Sequence, residues 1–295
     1  MGRKILPRTT ITRALTITLA VALAATTIAV AQDETTLERI QREGKILVGI
    51  GNEAPFGFVS EDGTLTGEAA EILKAALTDI GVTEYEAVVV DFAGAVGGLV
   101  AGHFDVIAAG LFIRPARCEL FDFGNPEFQL GVGLAVAADN PKDLSRLQDF
   151  VDTGSVIGLV AGGAENEYAD VAGIPDGQRV LFQTGPDAIA GLQAGQVDAV
   201  MMTTLSIRDL VSKAGDPGIE YAAMSEQPLD ADGNPAIGYG AMVFRLEDDD
   251  LRMVYNERLA ELKDSGELLE ILEPFGFSEE NLTDVEATDI CPSIE

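Results

Sequence analysis

The sequence is short of the residues most catalytic and metal sites are built from. Its 295 residues include one histidine, two cysteines and no tryptophan, and only 19 lysines and arginines stand against 49 aspartates and glutamates. His103 falls in an expected turn between a helix and a strand, and no histidine or cysteine pair has the spacing of a metal site. A Gly-x-Ser-x-Gly elbow and a glycine-rich phosphate loop are also missing. The formal net charge of −30 makes nucleic acid and anionic membranes poor partners. The acids are scattered among apolar positions, which is the pattern of a solvated surface. This composition suits a binder better than an enzyme, and no catalytic residue, metal or cofactor is expected.

What basic charge there is begins at the N-terminus, with Arg3, Lys4, Arg8 and Arg13. An uncharged apolar stretch from Ala14 to Val30 follows, ending in the small-residue triplet Ala29-Val30-Ala31. That order is the pattern of a secretory signal peptide over residues 1–31, although the apolar stretch is near the lower limit for a membrane span. No cysteine stands at the expected cleavage point, so a free periplasmic protein is expected and not a lipid-anchored one. In an exported chain the even pair Cys118 and Cys291 is a disulfide candidate, tying the C-terminal tail to a helix that starts near Pro115.

Short apolar runs alternate with helical patterns along the rest of the chain. Residues 45–50 (KILVGI), 87–90, 105–109, 156–160 and 198–202 read as strands, and 68–80, 93–101, 166–172, 186–194 and 205–213 as helices. Such alternation predicts α/β architecture with parallel strands, whose ligands sit beyond the strands' carboxyl ends. "LVAGHFDVIAAG" (99–110) is echoed by "LQAGQVDAVMMT" (192–203), as if one helix-to-strand device served two similar lobes. The segment 131–138 would leave the first lobe, and 238–245 would return to it ahead of helices at 249–263 and 266–272. The expected division is a first lobe of 32–130 and 240–295 and a second lobe of 131–239, joined by two crossing strands that form a hinge.

Aromatic residues recur at expected strand ends: Phe56 in "NEAPFGF", Phe92 in "VVVDFAG" and Phe112 in "AAGLFIRPAR". In a parallel sheet these points share one rim, so the three rings could face a common space, where an aromatic cage favours a delocalised cation. Arg117, one helical turn beyond Phe112, could hold a carboxylate through two parallel hydrogen bonds, and the pocket would then take a small zwitterion. Core packing for each ring, and a surface ion pair of Arg117 with Glu119 or Asp122, remain the alternatives.

"GHFDVIAAGLFIRPARCELFDFGNPEF", with "LERIQREGKILVGI" and "EILEPFGF" at either end, resembles the periplasmic polar amino-acid-binding proteins of ABC importers. The resemblance implies a two-lobed type II binding-protein fold, each lobe a central sheet flanked by helices, and a ligand α-carboxylate held by Arg117. Three places depart from the family: a helix start usually reading Gly-Phe-Asp-Val-Asp is here Gly67-Glu68-Ala69-Ala70-Glu71, Thr203 and Thr204 stand where an acid usually receives an amino acid's ammonium, and Arg114 replaces a threonine. "NEAPFGF", "TGEAAEI", "IRPARC", "TTLSI" and the late cysteine are most similar to the ectoine and hydroxyectoine binders within that family. This likeness implies a ligand site of Glu53, Phe56, Phe92, Gly110, Phe112, Arg117, Gly163, Glu165 and Thr203, with Glu53 accepting from the ligand ring. It also implies an inner-membrane ABC permease as partner and a monomeric receptor. Two rival readings are an ordinary amino-acid or opine receptor, and a periplasmic dehydratase with Glu165 or Glu53 as general acid.

Overall fold

A reciprocal cap opens the folded chain. Thr35 Oγ accepts from Glu38 N–H at 3.2 Å while the Glu38 carboxylate accepts from Thr35 N–H at 3.1 Å, starting helix α1 (Thr36–Glu43). Gly44, with φ +68°, ends it and turns the chain into β1 (Lys45–Ile50). The computed structural model describes residues 1–2, 34–231 and 233–291; apart from Met1 and Gly2, the signal-peptide reading of residues 1–31 lies outside the described residues. No helix among the described residues is long and apolar enough to cross a membrane.

After β1 come the small hairpin β2 (Phe58–Val59) and β3 (Leu65–Thr66), then α2 (Glu68–Leu77), β4 (Glu84–Val89), α3 (Phe92–Val100) and β5 (Val106–Phe112). The single turn α4 (Pro115–Cys118) leads to β6 (Asp122–Phe123), β7 (Phe128–Leu130) and β8 (Val132–Ala137). Next follow α5 (Leu147–Thr153), β9 (Ile157–Val160), α6 (Glu165–Val171), β10 (Arg179–Phe182), α7 (Gly185–Gln193), β11 (Ala199–Thr203), α8 (Thr204–Ala214) and β12 (Ile219–Ala223). The chain closes with β13 (Gly238–Phe244), α9 (Asp249–Ser265), α10 (Glu267–Leu272) and α11 (Ala287–Ile290).

The strands form two sheets of matching design. The first runs β4-β1-β5-β13-β6, with β7 also on β13; the second runs β10-β9-β11-β8-β12. In each, three parallel strands are followed by an antiparallel one: β13 beside β5, and β8 beside β11. All seven residues of β5 are buried, as expected of a central strand covered on both faces. Helix α2 packs on β5, and α9 on β13 and β6; in the second sheet α7 covers β9 and β11 while α8 lies on β8 and β12. The chain passes from the first sheet to the second at Gly131, between β7 and β8, and returns between β12 and β13. Gly238 and Tyr239 already pair with Leu130 and Gln129 in the first sheet.

The echo between residues 99–110 and 192–203 is one structural device used twice. Asp105 and Asp198 each precede their strand and brace the strand beside it. Asp105 N–H donates to Leu47 O at 2.8 Å and its Oδ2 accepts from Leu47 N–H at 2.9 Å. Asp198 does the same with Val156, at 2.8 Å both ways. A left-handed glycine precedes each by three residues, Gly102 at φ +73° and Gly195 at φ +69°. The repeated Ala-Gly-x-x-Asp therefore sets the starting register of β5 against β1 and of β11 against β9.

Candidate ligand-binding site

In the first sheet β1, β4 and β5 run parallel, so their carboxyl ends share one rim. Glu53 and Phe56 lie in the loop after β1, where the Ala54-Pro55 peptide is cis. Phe92 opens α3 directly after β4, and Asp91 caps that helix by accepting from Gly94 N–H at 2.6 Å. Phe112 is the last residue of β5, which extends three residues beyond the expected strand at 105–109. The ladder between β5 and β13 slips between Ala241 and Val243, and Gly110, with φ +58°, lies in the stretch of β5 that absorbs the slip. A Cβ on Gly110 would stand 2.5 Å from the Phe56 ring, so glycine there serves both the backbone angle and the close approach of that ring.

All nine residues expected at the site line one cleft between the sheets: Glu53, Phe56, Phe92, Gly110, Phe112, Arg117, Gly163, Glu165 and Thr203. Ala109, Leu111, Val160, Ala164 and Met202 complete its wall. The apolar wall residues come from the ends of buried strands, where a sequence pattern shows only core. Phe56 both lines the cleft and belongs to the core. It is 2% exposed, stacks on Phe128 at 5.5 Å with a 17° angle between planes, and meets Phe277 edge-on at 6.3 Å. Phe112 is edge-on to Phe128 at 6.5 Å, so two cage rings share one aromatic backing.

Arg117 pairs with neither Glu119 nor Asp122. One Nη donates to Phe112 O at 2.8 Å and the other to Gly162 O at 2.9 Å, and Arg117 makes no ion pair among the described residues. Of its five N–H donors, two are held by backbone and three remain to meet an anion in the cleft. Burial, and then the neighbouring Arg114 charge, push its pKa down to about 10, which still leaves it charged at neutral pH. A largely shielded guanidinium without a carboxylate partner among the described residues has donors to offer an anion.

Two carboxylates share the cleft. Glu53 accepts from Ser206 Oγ–H at 2.5 Å, and Ser206 is held in turn by Thr203, whose Oγ1 donates to it at 2.8 Å. This chain joins the two lobes across the cleft. Burial, with Glu165 and Asp209 nearby, raises the Glu53 pKa to about 7. Burial also raises Glu165, against the opposing pull of Arg117 and Arg114. The cleft thus sets a guanidinium at Arg117 and carboxyl groups at Glu53 and Glu165 among aromatic walls. Ser206 was not legible as a site residue. Its signal is the Thr-x-x-Ser spacing from Thr203, which places it in the first turn of α8 and facing the rim.

Cys118 and Cys291 are bonded, with Cα atoms 5.8 Å apart, fastening α4 to the C-terminal tail. His103 is exposed in its turn, and no acid or thiol cluster able to hold a metal occurs among the described residues.

Comparison with known proteins gives this geometry a family. A probable amino-acid ABC transporter periplasmic-binding protein of Sinorhizobium fredii is 29% identical over 249 residues, covering 84% of this chain and 82% of that one. The L-cystine-binding protein of Escherichia coli is 26% identical over 238 residues, with 80% and 84% covered. Among solved structures, EhuB in complex with hydroxyectoine superposes with a TM-score of 0.81 at 32% identity, over 88% of this chain and 99% of EhuB. A mutant of ArgBP from T. maritima does so with a TM-score of 0.70 at 26% identity, over 81% and 98%. The two matched sheets with their flanking helices are the type II periplasmic binding-protein fold. The model of the bacterial extracellular solute-binding proteins, family 3, matches residues 46–278, and the chain belongs to that family.

Proposed function

We propose that this protein is the periplasmic receptor of an ABC importer, and that it captures ectoine or hydroxyectoine and passes it to an inner-membrane permease. The observation that carries the reading is the pairing of Arg117 with Glu53 in one aromatic cleft, the first with three donors left for a carboxylate and the second with a carboxylate to receive ring N–H groups. A cyclic amidinium carboxylate matches both ends, with its flat cation among Phe56, Phe92 and Phe112. The likeness to EhuB in complex with hydroxyectoine supports the choice of ligand. The relatives named above are binding proteins, which supports a receptor and not an enzyme. On this reading residues 1–31 direct export, a first lobe of 32–130 and 240–295 closes as a monomer on a second lobe of 131–239, and the ligand is held between them.

A bidentate arginine contact contributes roughly 1.5–3 kcal/mol and each cage ring about 0.5–2 kcal/mol. Arg117→Ala should therefore weaken binding by at least roughly 10- to 150-fold, and Phe112→Ala should weaken it by roughly 1–2 kcal/mol. Fluorescence or calorimetric titration of the variants checks both, and wild-type affinity in Arg117→Ala would refute the site.

Glu53 and Glu165 also favour a second reading, a receptor for a polar amino acid or opine. Either carboxylate could accept an ammonium, although Thr203 stands where an acid would be expected. A panel of amino acids offered alongside ectoine separates the two.

A further inference from the structure

Arg114 stands at the start of α4, three residues before Arg117, yet it does not line the cleft. Its side chain, 13% exposed, crosses to the second lobe. There it donates to Ala164 O at 2.8 Å, pairs with the Glu167 carboxylate and lies over the Tyr168 ring at 5.3 Å from the ring centre. All three partners sit at the first turn of α6 or beside it, so one guanidinium meets a carbonyl, a carboxylate and an aromatic face on the opposite lobe. Each contact needs the lobes together. None needs anything in the cleft.

We propose that Arg114 is a positioning residue that latches the two lobes shut independently of the ligand, holding part of the ligand-free protein in the closed form. Three properties of the site favour a latch over a decorative surface pair. The head group is largely shielded from water, its three partners cluster on one face of a single helix start, and the residue shares its turn with Arg117, so closing the latch also brings Arg117 to Gly162 O. A latch of this kind raises affinity for whatever ligand the cleft takes, because less of the binding free energy goes into closing the lobes. The inference rests on hinge closure as read above, but not on the identity of the ligand.

The test is single-molecule energy transfer on the full mature protein with one dye on each lobe, first without ligand and then with ectoine. The variants are Arg114→Met, Arg114→Lys and, as a change that leaves α4 intact, Glu167→Gln, each checked for its fold by circular dichroism. Without ligand, wild type should show a closed fraction that falls about ten-fold in Arg114→Met, with smaller falls in the other two. The ectoine concentration for half-closure should rise by a similar factor. A wild-type protein that is wholly open without ligand, or closed fractions equal in wild type, Arg114→Met and Glu167→Gln, would overturn the latch. Should ectoine close neither protein while the ligand-free fractions differ as expected, the latch stands and the proposed ligand falls.

Discussion

Arg117 and the three phenylalanines were legible in the sequence because parallel strands place their ends on one rim, and rim residues can be counted without knowing the rest of the fold. Glu53 could be placed beside Phe56 in the loop after the first strand, but its role as an acceptor came only by likeness to a family. Its partner Ser206 lies 153 residues away on the other lobe, and only the relative placement of the lobes brings the two together. Arg114 was hidden for the same reason, since its partners follow it by 50 residues or more. The position of Glu53 carries a pH prediction. Its pKa near 7 in the folded protein lies above the ordinary carboxylate value, so at pH 6 it is largely protonated, and a cationic ligand that wants it ionised must displace the proton. Affinity for ectoine should fall as pH drops from 8 to 6, by roughly ten-fold across that window. Calorimetry in buffers of different ionisation enthalpy should show proton release on binding near pH 6.5, and Glu53→Gln should abolish it. The raised pKa acts on folding in the opposite sense. The folded state holds a proton that the unfolded state gives up above about pH 4.5, so this group's stabilisation is full below that pH and is lost as pH rises through 7.

At the scale of elements, the sequence located β1, β4, β5, β8, β9, β11 and β13, but not β6, β7, β10 and β12 of the two sheets, nor helices α1, α5 and α11. It missed how far β5 runs, since the bulge at Gly110 lets the strand continue to Phe112, where the pattern breaks. Helix α4 is a single turn of four residues, with little intrinsic stability of its own, and it carries Arg117. Pro115 at its start, the Ile113 N–H bond to Tyr239 O at 2.9 Å and the bond from Cys118 to Cys291 hold it. The disulfide closes 173 residues of chain, for which the chain-entropy model gives an upper bound of about 5 kcal/mol. Replacing both cysteines by serine should lower the melting temperature by roughly 10 °C and weaken ligand binding several-fold, because Arg117 adjoins Cys118. Scanning calorimetry with and without ligand checks this. An unchanged affinity would show that α4 keeps its place without the tail.

For the whole molecule, the paired sheets were foreseen from the echo of residues 99–110 in 192–203, and the mechanics of that echo follow from Asp105 and Asp198. The sequence reading has the chain leave the first lobe over 131–138 and return over 238–245; strand pairing sets Gly131 between β7 and β8 and Gly238 already in the first sheet. On the proposed reading, two lobes hinged at these crossings, with Arg117 on one and carboxylates on both, close on a small zwitterion. The measurement that tests this most directly is isothermal titration of the mature protein with ectoine, with arginine, glutamine and cystine as controls. The account predicts saturable heat with ectoine alone at a micromolar or lower dissociation constant, roughly 8–9 kcal/mol of binding free energy. Heat only with an amino acid, or a dissociation constant for ectoine above the millimolar range, would contradict it.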